Sequence, residues 1–97
     1  MVIVVLDHVP HCFSQGDGII IHDLLRPHFA AGRPVTLSFT GVEDVTSSFV
    51  NSSLVPFVEK YGASHVKSQL RITHATKQVA DTVRRCFANA ERLAHAA

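Results

Sequence analysis

The sequence predicts an α/β domain built on a small, mostly parallel sheet of three to four strands with three helices. Two observations predict it: β-branched apolar runs alternate with segments whose apolar residues recur at helical spacing, and 97 residues leave room for one domain. Composition agrees. Apolar residues make up 46% of the chain and charged residues 18%, which places it on the globular side of the boundary with disorder, so residues 1–97 read as one folding unit.

Val2 to Leu6 is uninterrupted and β-branched, bounded by Asp7 and Pro10, and reads as a short strand buried on both faces. Residues 9–17 carry Pro10, Gly16 and Asp17 and read as a loop, with an extra edge strand near Phe13 left open. From Gly18 onward Ile20, Ile21, Leu24, Leu25 and Phe29 fall on one helical stripe that Gly32 and Pro34 stop. Pro27 predicts a kink or an early end near Arg26.

Val35 to Phe39 alternates with period two, Gly41 turns the chain, and Val42 to Val45 run on extended. Thr46-Ser47-Ser48 is a string of helix-capping residues. Behind it Phe49, Val50, Leu54, Phe57, Val58 and Tyr61 predict a second helix reaching Gly62, with Pro56 as its irregularity. Val66 to Ile72 reads as a third strand, and Thr73 to Thr76 lead into a last helix with Val79, Val83, Cys86, Phe87, Ala90 and Leu93 on its apolar stripe.

The segment from Val35 to Phe49 joins a buried strand, Gly41-Val42, a short extended piece and the Thr46-Ser47-Ser48 turn into a helix. It resembles the central signature of the STAS superfamily, the sulfate-transporter and anti-sigma-factor-antagonist domains. Ser47-Ser48-Phe49 looks like the STAS-like variant of bacterial proteins often encoded near, or fused to, histidine-kinase-type ATPases. Gly16 and Gly18 before the first helix and Leu70-Arg71-Ile72 before the last are further marks, so the resemblance runs over roughly residues 14–93.

The resemblance implies a STAS-like fold and a non-catalytic regulatory module, with Asp44, Thr46, Ser47, Ser48, Asn51 and Ser52 facing a protein partner. That partner would be a histidine-kinase-type ATPase or an anti-sigma-like kinase. Phosphorylation carries over to Ser47 first and Ser48 second. In this sequence Thr46 stands where the antagonists place an Asp before the phosphorylated Ser, and Ser38 stands where many relatives carry an Asp after the strand. A phosphoserine adds nearly two negative charges and would repel a partner that accepts the neutral hydroxyl. The plainer reading of Thr46 or Ser47 is a helix cap worth about 1 kcal/mol.

Nine Lys+Arg against eight Asp+Glu give +1, with no basic stripe of the kind nucleic-acid binders carry. Apolar runs far shorter than the roughly 20 residues of a membrane span give no reason to expect a membrane partner. Cys12 and Cys86 are two lone thiols rather than a disulfide framework, and no signal-peptide pattern leads the chain, so a reducing cytoplasmic setting is expected. No cofactor motif is present, and Gly16-Asp17-Gly18 reads as a turn into the first helix rather than a phosphate cradle. Two alternatives stay open: a metal-binding protein or small enzyme using His8, His11 and Cys12, or a structural homodimer joined through the first strand or the second helix.

Overall fold

The computed structural model describes residues 1–96, and the burial of residues 1–93. Three strands, β1 (Val2–Val4), β2 (Val35–Ser38) and β3 (Leu70–Thr73), form one parallel sheet in the order β1-β2-β3. Ile3 lies beside Leu37 and Leu37 beside Ile72, so one row of apolar side chains crosses the sheet. The chain between strands is helical: α1 (Gln15–Ala30), then α2 (Ser47–Ser53), α3 (Val55–Tyr61) and α4 (Ala63–Gln69), with α5 (Lys77–Ala96) after β3.

The core lies between the sheet and the helices. Ile3, Leu37 and Leu70 meet Ile21, Leu25 and Phe29 of α1, Phe49 and Leu54 of the middle segment, and Val79 and Phe87 of α5, all buried. Burying one such side chain stabilises the fold by about 1.5–3 kcal/mol, which is how a chain this short sustains a core. The opposite face is more open. Val2, Thr36 and Arg71 share a register row there, and Val2 is 61% exposed, so β1 is not buried on both faces as its β-branched run suggested. It is also shorter than expected, because Val5–Asp7 form a 3-10 turn in which the Val5 carbonyl accepts from His8 and Val9 N–H.

Helix α1 starts earlier than predicted. Ser14 caps it by accepting from Asp17 N–H, so the Gly16-Asp17-Gly18 stretch is its first turn rather than a loop. It continues through Pro27 to Ala30 without ending near Arg26; Ile20 points outward at 44% exposure, leaving Ile21, Leu25 and Phe29 as the buried stripe. Gly18 is needed for packing: a Cβ there would stand 1.9 Å from Ser52 Oγ and 2.6 Å from the Phe49 carbonyl oxygen, so α1 and α2 meet only because it has none.

The single second helix of the sequence reading is two helices. They break at Leu54, because Pro56 has no N–H to donate back to the carbonyl of Ser52. The expected strand 66–72 is half helix: Ala63, Val66 and Gln69 are buried at a three-residue spacing in α4, and only Leu70–Thr73 pair with β2. No fourth strand forms near Phe13 among the described residues; Val9 and Cys12 are buried in an irregular segment and Phe13 stays half exposed. Leu93, expected on the apolar stripe of α5, is 68% exposed near its end.

Candidate functional site

The predicted site residues gather on the loop from β2 to α2 and on the first two turns of α2. Gly41 makes the exit turn at φ +81°, a backbone conformation that glycine adopts without penalty, and Val42 N–H donates to the Phe39 carbonyl at 2.9 Å. Beyond the turn the loop is tied to α5 rather than left free. Thr76 caps α5 by accepting from Val79 N–H, and its hydroxyl donates to the Glu43 carbonyl at 2.9 Å. Gln78 then grips Val45 with both ends of its amide: Oε1 accepts from Val45 N–H and Nε2 donates to the Val45 carbonyl, each at 2.9 Å.

Thr46 is the next fixed point. Its Oγ1 accepts from Phe49 N–H at 3.2 Å, which makes Thr46 the cap of α2, while its O–H donates to the Phe13 carbonyl at 2.8 Å. Its own N–H donates to the Cys12 carbonyl at 3.1 Å. The capping role therefore falls on Thr46, and Ser47 and Ser48 are exposed one position further on. Asp44 and Asn51 are exposed as well. Ser52 is different: it is half-buried against Gly18, and its hydroxyl donates to the carbonyls of Ser48 and Phe49 at 2.9 and 3.1 Å. Ser38 is buried, with its hydroxyl 2.7 Å from Thr40 Oγ1 and 3.4 Å from His74 Nδ1.

Ser47 and Asn51 also form one wall of a shallow groove whose other wall is Arg85 and Asn89 of α5. Arg84, the neighbour of Arg85, is held 3.1 Å from Asp81, whereas Arg85 makes no ion pair among the described residues. A cation thus stands across the groove from the Ser47 hydroxyl.

His8, His11 and Cys12 do not converge. Cys12 is 1% exposed, and burial, aided by the nearby Asp17 carboxylate, pushes its thiol up to about 11, away from the thiolate a metal or a nucleophilic reaction needs. His11 turns outward: its ring stacks on Phe13 at 5.2 Å between centroids, and its Nδ1 lies 2.9 Å from Asp17 Oδ2. That contact is close but misaligned for a hydrogen bond, so Asp17 Oδ2 accepts none. Among the described residues no three His, Cys, Asp or Glu side chains are grouped to hold a metal ion. Cys86 is buried too, and its thiol is pushed up by desolvation against an opposing pull from Arg85.

The model of a STAS-like domain family of unknown function matches residues 17–80, about two thirds of the chain. The chain belongs to this STAS-like family. The matched span opens in the first turn of α1 and closes in the first turn of α5, so it contains the loop, the cap and both residues that pin the loop, Thr76 and Gln78. No curated protein and no solved structure matches the chain. No helix of the described residues is long and apolar enough to cross a membrane.

Sequence reasoning missed Gln78 and Gln69, because each acts on backbone far away in the chain. Gln69 is buried, and its Nε2 donates to the carbonyls of His28 and Arg33, both at 2.8 Å, closing the end of α1. The only advance signal was composition: an uncharged amide in a segment otherwise rich in charges and apolar residues.

Proposed function

We propose that this STAS-like domain is a non-catalytic regulatory module that binds a protein partner through the Asp44–Ser48 loop and the exposed residues of α2. The partner class is a histidine-kinase-type ATPase, as the resemblance to anti-sigma factor antagonists implies. The observation that carries the reading is the division of labour at the start of α2. Thr46 takes the cap, so Ser47 keeps an exposed hydroxyl on a loop held by Thr76 and Gln78. A pre-ordered loop loses little conformational entropy on docking, which favours affinity.

Phosphorylation of Ser47, with Ser48 as the second candidate, is the proposed switch. A phosphate there adds nearly two negative charges at an exposed position, which would repel a partner that accepts the neutral hydroxyl and change docking without refolding the domain. Arg85 across the groove offers such a phosphate an intramolecular partner.

The test is affinity capture from the native host with the wild-type chain beside Ser47→Asp, read by mass spectrometry for an ATPase and for phosphoserine. Recovery of a histidine-kinase-type ATPase by the wild type and its loss from Ser47→Asp supports the reading. Equal recovery by both removes the switch, and the absence of any ATPase removes the partner class.

A further inference from the structure

A second surface lies where β3 forms an edge of the sheet. The Phe39 N–H donates to the Thr73 carbonyl at 2.9 Å, so Thr73 and, two residues earlier, Arg71 direct their backbone groups at β2. Strand alternation therefore turns the N–H and C=O of Ile72 outward, away from the sheet. Leu70 N–H, on the same outer side, closes α4 by donating to the Val66 carbonyl. Beside this edge runs an open groove of about 470 Å³ with Leu70, Ile72, Val83 and Phe87 as its apolar floor.

Charge says what fits it. Seven of the nine Lys+Arg residues lie beyond residue 59, against only Asp81 and Glu91 on the acidic side. Lys67 and Arg84 stand on the groove's rim, with Lys67 3.9 Å from Glu91 and Arg84 3.1 Å from Asp81. Both of these already have acidic partners, whereas Arg71, exposed on β3 itself on the sheet face away from the groove, makes no ion pair among the described residues. A second copy of the chain laid edge to edge by two-fold symmetry would bring Arg71 towards its own image, which disfavours self-pairing.

We propose that the β3 edge and its groove dock an extended, acidic and alternately apolar segment of a partner protein, which adds to the sheet as a fourth strand. The Ile72 backbone supplies the first hydrogen bonds, the groove takes the inward apolar side chains, and Arg71, on the sheet face away from the groove, meets the outward carboxylates. This surface is separate from the α2 loop, so the proposal stands or falls independently of the Ser47 reading.

The experiment titrates a fluorescein-labelled peptide of alternating Glu and Val against the full 97-residue chain by anisotropy, and follows the Ile72 amide by NMR. Saturable binding that shifts the Ile72 amide, and that weakens at least tenfold in the Arg71→Glu variant and with rising salt, is expected. A circular dichroism spectrum matching wild type confirms that the Arg71→Glu variant is folded, and the Ile72 shift in the wild-type chain does not depend on it. Lack of saturable binding overturns the proposal, as does equal binding by a peptide of alternating Lys and Val. So does an unmoved Ile72 amide, binding of dodecanoate in place of the peptide, or an Ile72 amide protected by self-association of the free chain.

Discussion

Gln78 and Val45 are joined as if two strands met: the side-chain amide of one pairs with both backbone groups of the other at 2.9 Å. Val45 is almost fully buried, so water cannot readily replace either bond. Removing the amide would leave two polar groups short of partners immediately before the cap of α2. Gln78→Ala is therefore expected to destabilise the fold by about 1–3 kcal/mol and to speed hydrogen exchange at Val45. Gln78→Glu, which keeps an acceptor for the N–H but loses the donor, should fall between the two. Denaturant titration with exchange at single amides checks both.

Thr46 and Ser47 are neighbours with different roles. Thr46→Ala removes the cap and the bond to the Phe13 carbonyl, so a loss of about 1–2 kcal/mol is expected. Ser47→Ala should stay within about 0.5 kcal/mol of wild type, as for other exposed positions free of such features. Paired chemical denaturation curves decide it; a larger loss at Ser47 than at Thr46 would mean the cap has been placed on the wrong residue.

Gly18 sets how closely α1 and α2 approach. Gly18→Ala places a methyl against Ser52 Oγ, a side chain that can rotate, and against the Phe49 carbonyl, which cannot. Overpacking of this kind costs about 1–3 kcal/mol, occasionally more. Adding Ser52→Ala should recover only part of it, since the backbone contact remains. A melting temperature unchanged by Gly18→Ala would contradict the packing.

Cys12 makes stability fall on the alkaline side. Its thiol is raised from 9.0 to about 11 in the folded chain, so the unfolded chain loses that proton first as the pH climbs. The contribution is whole below about pH 9 and is lost as pH rises through about 11. Cys12→Ser offers no such shift and should flatten the decline over that window. For the same reason iodoacetamide should label Cys12 at neutral pH far more slowly than it labels a free thiol in solution.

Much of this was legible in the sequence, and the failures have physical causes. The alternating segments, the strand at Val35 and the caps at Thr46 and Thr76 all rest on local periodicity and local hydrogen bonding, which a sequence displays. Pro56 was visible as an irregularity, but whether it bends a helix or ends one depended on packing around Leu54. Residues 66–69 misled because Val66 continues the apolar run of Leu70 and Ile72, which do form a strand, whereas the burial of Ala63, Val66 and Gln69 follows a helical face. The ring of His22 stacks on Phe57 at 4.7 Å, a contact between elements that no local pattern reports. Asp44, Ser47, Ser48 and Asn51 were singled out by their motif and are exposed, while Gln78 and Gln69 bind backbone more than 30 residues away and leave no local trace.

The central claim is that the Asp44–Ser48 loop and the exposed face of α2 form the binding surface. The most direct measurement is an amide NMR titration of the isotope-labelled chain with a histidine-kinase-type ATPase captured from its native host, repeated on Ser47→Asp. The account predicts shifts or broadening concentrated on residues 44–51 in the wild type and at least tenfold weaker binding by Ser47→Asp. Perturbations elsewhere on the molecule, or equal binding by the two chains, would contradict it.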